Sequence, residues 1–190
     1  MEKTMIRPED VIAMPILPST LRAAKALGTF APNSKSYMDG EWQLDGALGE
    51  VVVKQYLEEC GRTVEFSPKE DYDNDLLVIG LGSIVRIDVK TKRRDTWNVN
   101  QMVTSFEGSV QASSREEIAN KAVDTYVFVN LAYDKESGEY ECAYIMGGMT
   151  KDRFLDRCVQ KSAGDFDSSN GMVTPAPNFN IWYRELNQIG

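Results

Sequence analysis

The sequence predicts an α/β fold, and three stretches carry the prediction. Between Asp45 and Cys60 the residues Leu48, Val51, Val52 and Tyr56 recur at helical spacing and form one apolar stripe. The stretch YDNDLLVIGLGSIVRIDVKTK, Tyr72 to Lys92, places two Leu, Val and Ile runs around Gly80-Leu81-Gly82-Ser83. That is the pattern of a β-hairpin, because glycine supplies the backbone angles a tight reversal needs. Thr125 to Ala132 is dense in β-branched and aromatic residues and reads as a buried, central strand.

The remaining elements follow in chain order. Residues 1–44, with Pro8, Pro15, Pro18 and Pro32, read as an arm that packs on the core, and Ser19 to Leu27 forms its short helix. A core covers 45–160. Asp45 caps the first core helix, Gly61 ends it, and Gly46 and Gly49 would let it approach the strands closely. Thr63 to Phe66 reads as an edge strand. Arg93 to Ser114 is poorly periodic and is expected to be a long functional loop. Ser114 and Glu117 form a capping box that opens a helix to Val123. A strand from Tyr140 to Met146 is expected to close at Gly147 and Gly148, after which Thr150 caps a last helix, Lys151 to about Val159. The extension 161–190 is rich in Gly, Ser, Asn and Pro until Ile181-Trp182-Tyr183, a candidate edge strand.

With 190 residues, 42% hydrophobic and 26% charged, the chain suits one soluble domain with a sizeable core. No apolar run reaches the roughly 20 residues that span a bilayer, and the first ten residues carry acids and a proline. A cytoplasmic protein with no membrane partner is the expectation. Histidine is absent, which excludes Ser-His-Asp and Cys-His catalysis and His-liganded zinc. Cys60, Cys142 and Cys158 are widely spaced and form no Cys-x-x-Cys pair. Hydrolytic chemistry must then come from carboxylates, lysine and a hard metal.

The hairpin supplies such a set. If Ile79 faces Ile84, the antiparallel register sets Asp75 opposite Asp88, with Cβ atoms about 5 Å apart. Lys90 shares the face of Asp88, one step along the strand. Two carboxylates at that separation repel by roughly 3 kcal/mol at an effective dielectric near 20. Either Lys90 neutralises the pair, or a hard cation such as Mg²⁺ sits on it with retained waters. Past Lys90, the run Lys92, Arg93, Arg94, then Trp97, forms a basic patch at the end of the same strand. Such a run is often a solvated face, but here it adjoins the carboxylates and is a candidate phosphate contact. The net charge of −8 counts against simple electrostatic binding of nucleic acid.

The order of a helix with Glu50 in GALGEVVVKQYLEECG, a strand headed by Asp75 in DNDLLVIG, and Asp88-Val89-Lys90 in IDVKTK resembles the PD-(D/E)XK nuclease superfamily. The resemblance covers roughly Asp45 to Val129. It implies a restriction-endonuclease-like αβββαβ core, with a central mixed sheet flanked by helices. It further implies a metal-dependent nuclease, with DNA favoured as substrate and endonuclease over exonuclease action. Asp75, Asp88, the Val89 carbonyl and Glu50 would hold Mg²⁺ or Mn²⁺, and Lys90 would orient water or stabilise charge on the phosphate. Lys92, Arg93 and Arg94 would hold flanking phosphates. Gln111 is the nearest match to a substrate-positioning Gln found in some branches, although Arg115 stands where one branch has a Tyr. Asn74 occupies the namesake Pro position, so Asp73 competes with Asp75 as the ligand. Relatives that cut both strands often act as dimers, which makes a homodimer an open expectation. Two rival readings stand beside the nuclease: a non-catalytic interaction protein or acidic nucleic-acid mimic, and a Mg²⁺ enzyme acting on nucleotides.

Overall fold

The computed structural model describes residues 6–29, 41–68, 73–95, 98–167 and 172–189. Tyr72 and Trp97 lie outside them. The chain forms a mixed α/β structure around a six-stranded sheet ordered β1-β7-β6-β4-β3-β2. These strands are β1 (Ile12–Pro15), β2 (Thr63–Phe66), β3 (Leu76–Gly80), β4 (Ser83–Arg94), β6 (Thr125–Asp134) and β7 (Glu139–Thr150). β4 and β6 run parallel, and every other neighbouring pair in this sheet is antiparallel. β6 is central and carries buried residues at seven consecutive positions, Tyr126 to Ala132, because both of its faces are covered.

Helices α1 (Pro18–Thr29) and α2 (Glu41–Glu59) cover one face. Leu48, Val51 and Val52 of α2 pack there on Val89, Val127 and Val129. The opposite face packs against a second, three-stranded sheet ordered β5-β11-β8, with β5 at Glu107–Gln111, β8 at Val159–Lys161 and β11 at Asn178–Trp182. Three short helices, α3 (Val99–Ser105), α4 (Arg115–Asn120) and α5 (Lys151–Arg157), complete that layer. Its core is built from Tyr126, Phe128, Phe154, Phe179 and Tyr183. A small hairpin, β9 (Phe166–Asp167) with β10 (Met172–Val173), adjoins it.

Several expectations from the sequence change in the folded chain. The arm is integral to the sheet, since β1 hydrogen-bonds along β7 and α1 packs on α2. Asp45 lies inside α2 rather than capping it. The stretch 93–114 contains α3 and β5 rather than one long loop. Asn98 caps α3, its Oδ1 accepting the Gln101 N–H at 3.1 Å. These elements are too short for a clear period, and they are held by burying Met102, Val103 and Val110 in the second core. Ile181 and Trp182 belong to the middle strand of the second sheet, not to an edge. Gly147 and Gly148 do not end β7. The strand passes through them with a bulge opposite Phe128 and Val129. The C-terminal segment closes over this point, where Gly148 and Asn187 exchange backbone hydrogen bonds of 2.8 and 2.9 Å. A Cβ on Gly147 would lie 2.6 Å from the Asn187 carbonyl oxygen, so a side chain there would push the segment away.

The approach of α2 to the sheet is what brings Glu50 near β4. A Cβ added at Gly49 would lie 1.9 Å from Thr91 Oγ1, whereas one at Gly46 meets nothing within 4 Å. Only one of the two predicted close-approach glycines therefore does that work. Gly49→Ala should lower stability by ~1–3 kcal/mol in urea unfolding, because the helix must back away from β4. Gly46→Ala should be neutral or stabilising by up to ~1 kcal/mol, since it only improves helix propensity.

Candidate active site

The expected hairpin register is present: Ile79 pairs with Ile84 and Leu76 with Ile87. β3 begins there, but β4 continues to Arg94, paired with β6 alone. Among the described residues, no strand covers the other edge of β4 beyond Ile87. Asp75 stands at this step. Its backbone N–H donates to the Ile87 carbonyl at 2.8 Å, and its carboxylate Oδ2 accepts the Val89 N–H at 2.7 Å. A side chain thus replaces the missing strand at one ladder position.

Alternation along β4 sorts its side chains. Ile87, Val89, Thr91 and Arg93 point toward α2, while Asp88, Lys90, Lys92 and Arg94 point toward the second sheet. The uncovered edge lets groups from both faces meet. Glu50, half-buried in the middle of α2, interacts with Asp88 and Lys90 on the far face and with Asp75 at the edge. Glu50 lies well inside α2, more than two turns from its first residue, so the helix N-terminus does not account for an acid there.

Charge in this cluster is unbalanced. Lys90 Nζ lies 2.5 Å from Asp88 Oδ1, and the Asp88 side chain is only 5% exposed. Burial works against the Lys90 ammonium, but Asp88, Asp75 and Glu50 together hold its pKa above the ordinary value. Burial, then Asp88 and Glu50, push the Asp75 carboxyl well above the usual range, against Lys90 and the Val89 N–H. Burial and Asp88 raise Glu50 to about 7, with Lys90 opposing. One lysine does not offset three carboxylates, so near neutrality the site takes up protons or a cation.

The donor set fits a hard cation. Among the described residues, no three His, Cys, Asp or Glu side chains are grouped so as to hold a metal by themselves. Asp75 and Asp88 supply two carboxylates, and one or two carboxylates with retained waters is the usual coordination of Mg²⁺. Val89 lies on the uncovered edge beside Asp75, where its carbonyl can join them. Asp73 is directed elsewhere, its Oδ2 accepting the Ala122 N–H at 2.9 Å, so of the two candidate aspartates it is Asp75 that joins the cluster.

The basic run is divided. Arg93 faces α2, with Nε 3.0 Å from Asp45 Oδ2 and Nη2 3.0 Å from Asp45 Oδ1 and 2.7 Å from the Tyr140 hydroxyl. Its guanidinium also lies 4.2 Å from the centre of the Tyr133 ring. Lys92 shares the face of Lys90, but its Nζ donates to the Glu107 carbonyl at 3.0 Å. Burial, then Arg94, lower its pKa to about 7. Arg94 lies over the Phe106 ring at 4.3 Å and bonds Tyr183. Gln111 is exposed at the far end of β5, four residues beyond Glu107, and does not join the cluster.

Two further features were not found by sequence reasoning. Tyr126 is the β6 neighbour of Asp88, and its buried hydroxyl has no hydrogen-bond partner among the described residues. Burial, then Asp88 and Asp73, raise the pKa of this phenol, so it stays protonated and can donate a hydrogen bond. Its position at the head of the strand run marked it as core. The second feature is a polar cluster under the β9–β10 hairpin, where Asn180 Nδ2 donates to Glu107 Oε2 at 2.8 Å and to Asp167 Oδ2 at 3.1 Å. These residues are far apart in sequence, and no local pattern links them.

The raised Glu50 pKa sets a pH dependence. A carboxyl that holds its proton more tightly folded than unfolded stabilises the fold below its ordinary pKa of 4.5, and this contribution is lost as pH rises to about 7. Asp75 acts in the same direction. In EDTA, stability should therefore fall between pH 5 and 7, and Glu50→Gln should reduce the fall by on the order of 1–3 kcal/mol. Urea titrations of both proteins at the two pH values measure this, and parallel slopes would show that Glu50 is not buried among these charges.

Compared with known protein families and with curated proteins, the sequence matches no family model and no curated protein.

Proposed function

We propose that the protein is a metal-dependent nuclease of the PD-(D/E)XK type that hydrolyses phosphodiester bonds in nucleic acid, with DNA the favoured substrate and internal cutting the favoured mode. The observation that carries this reading is the convergence of Asp75, Asp88, Glu50 and Lys90 where β3 begins beside the longer β4. The order α2, β2, β3, β4, then helix and the parallel strand β6, supports a restriction-endonuclease-like core. Among the described residues, no helix is long and apolar enough to cross a membrane.

Asp75 and Asp88, with the Val89 carbonyl, would hold Mg²⁺ or Mn²⁺, with Glu50 reaching it through a retained water, and the ion's role is to polarise the phosphate and lower the pKa of a water near it. Among the described residues, Lys90 supplies the ammonium inside the cluster. It orients the attacking water and stabilises the negative charge that grows on the phosphate oxygens. The Asp75 contact with Val89 N–H keeps the edge of β4 in place while substrate approaches. Water attacks phosphorus in line and gives up a proton to solvent, the P–O ester bond to the leaving oxygen breaks, and that oxygen takes a proton from solvent.

The Lys90–Asp88 ion pair and the net charge of −8 favour a second reading, a non-catalytic interaction protein or acidic mimic of nucleic acid. One experiment separates the two. Supercoiled plasmid, linear duplex and single-stranded DNA are incubated with the protein in EDTA, Mg²⁺ or Mn²⁺. Cutting should require the metal, and Asp88→Asn and Lys90→Ala should each reduce it by about 10²-fold or more, with circular dichroism unchanged. No cutting and no nucleic-acid binding under any condition would establish the second reading.

A further inference from the structure

We infer that the substrate of this site is nucleic acid whose bases are unpaired, held through an apolar surface at the end of the β3–β4 hairpin rather than through its phosphates; this rests on the nuclease reading above. Ile79 and Ile84 are direct cross-strand partners and are 37% and 50% exposed. Leu81, in the two-residue turn between them, is fully exposed. Exposed apolar surface extends round the hairpin end to Val85 on the reverse face. Ile84, Arg86, Asp88 and Lys90 alternate onto one face of β4, so the Ile79–Ile84 pair lies on the catalytic face. At 3.4 Å per residue, Ile84 is about 14 Å from Asp88, a span of a few nucleotides.

The cations of the same strand point to bases as the contact. β4 carries five of them, Arg86, Lys90, Lys92, Arg93 and Arg94. Each lies against a protein group, Arg86 the most loosely, its side chain 45% exposed. Arg86 faces Asp124 at 3.8 Å, Lys90 pairs with Asp88, and Lys92 donates to the Glu107 carbonyl. Arg93 is held by Asp45, and Arg94 lies between Phe106 and Tyr183. A duplex presents phosphates to a sheet face, and gripping them here would require breaking these contacts. Unpaired bases present apolar faces, which Leu and Ile side chains can cover and so remove from water.

Fluorescence anisotropy in EDTA tests this with three labelled probes: a single strand, the same sequence as duplex, and an abasic strand that keeps the phosphates and lacks the bases. The wild type should bind the single strand more tightly than either of the others. Leu81→Ser/Ile84→Ser, which alters only exposed side chains, should weaken the single strand at least about fivefold and leave the abasic strand unchanged. Equal loss on both strands, no loss, or tighter binding of the duplex would overturn the inference. Metal-dependent cutting of duplex without preference for single strands would overturn it while leaving the nuclease reading intact. Absence of binding and cutting on every probe would remove both.

Discussion

The unequal lengths of two neighbouring strands organise this protein. β3 pairs with β4 only as far as Ile87, yet β4 runs on for seven residues against β6. Inside a protein, an unpaired strand edge leaves N–H groups that must find acceptors. The Asp75 carboxylate takes the first of them, at Val89. That single contact ends one strand, anchors a carboxylate at the boundary between the two faces of the sheet, and leaves room for Glu50 to reach round from α2.

The second consequence of the long β4 is a sorting of charge by parity. Odd-numbered side chains meet α2, so Arg93 finds Asp45 and two tyrosines in an ion pair whose members are 15% and 4% exposed. Even-numbered ones meet the second sheet, so Lys92 and Arg94 are spent on the Glu107 carbonyl and on Phe106 and Tyr183. What reads as one basic cluster along the chain is thus two sets of structural contacts on opposite faces of a sheet.

The carboxylate cluster carries an electrostatic cost that the fold does not remove. Asp75 and Glu50 are both pushed toward their protonated forms, and Lys90 is the compensating charge within the cluster. Elsewhere local preference and tertiary packing agree, in the β-branched run of β6 and the apolar stripe of α2. A local conflict inside an otherwise consistent fold is what a functional site looks like in physical terms.

Much of this was legible in the sequence, because it is local. The turn at Leu81 and Gly82 sets the hairpin register as far as Leu76 and Ile87, Asp75 follows at the next position with its N–H on the Ile87 carbonyl, and alternation puts Lys90 beside Asp88. The apolar stripe of α2 and the edge position of β2 follow from spacing and run length. The sequence also held Gly49 as a close approach, though it could not separate it from Gly46 until the helix was laid on Thr91. Only the tertiary structure decided that Asp45 is the partner of Arg93 and not a cap, that α3 and β5 form within 93–114, and that the last strand lies inside a second sheet. Those features depend on contacts between residues tens of positions apart, whose energies come from burial and pairing across the fold and leave no periodic trace in the chain.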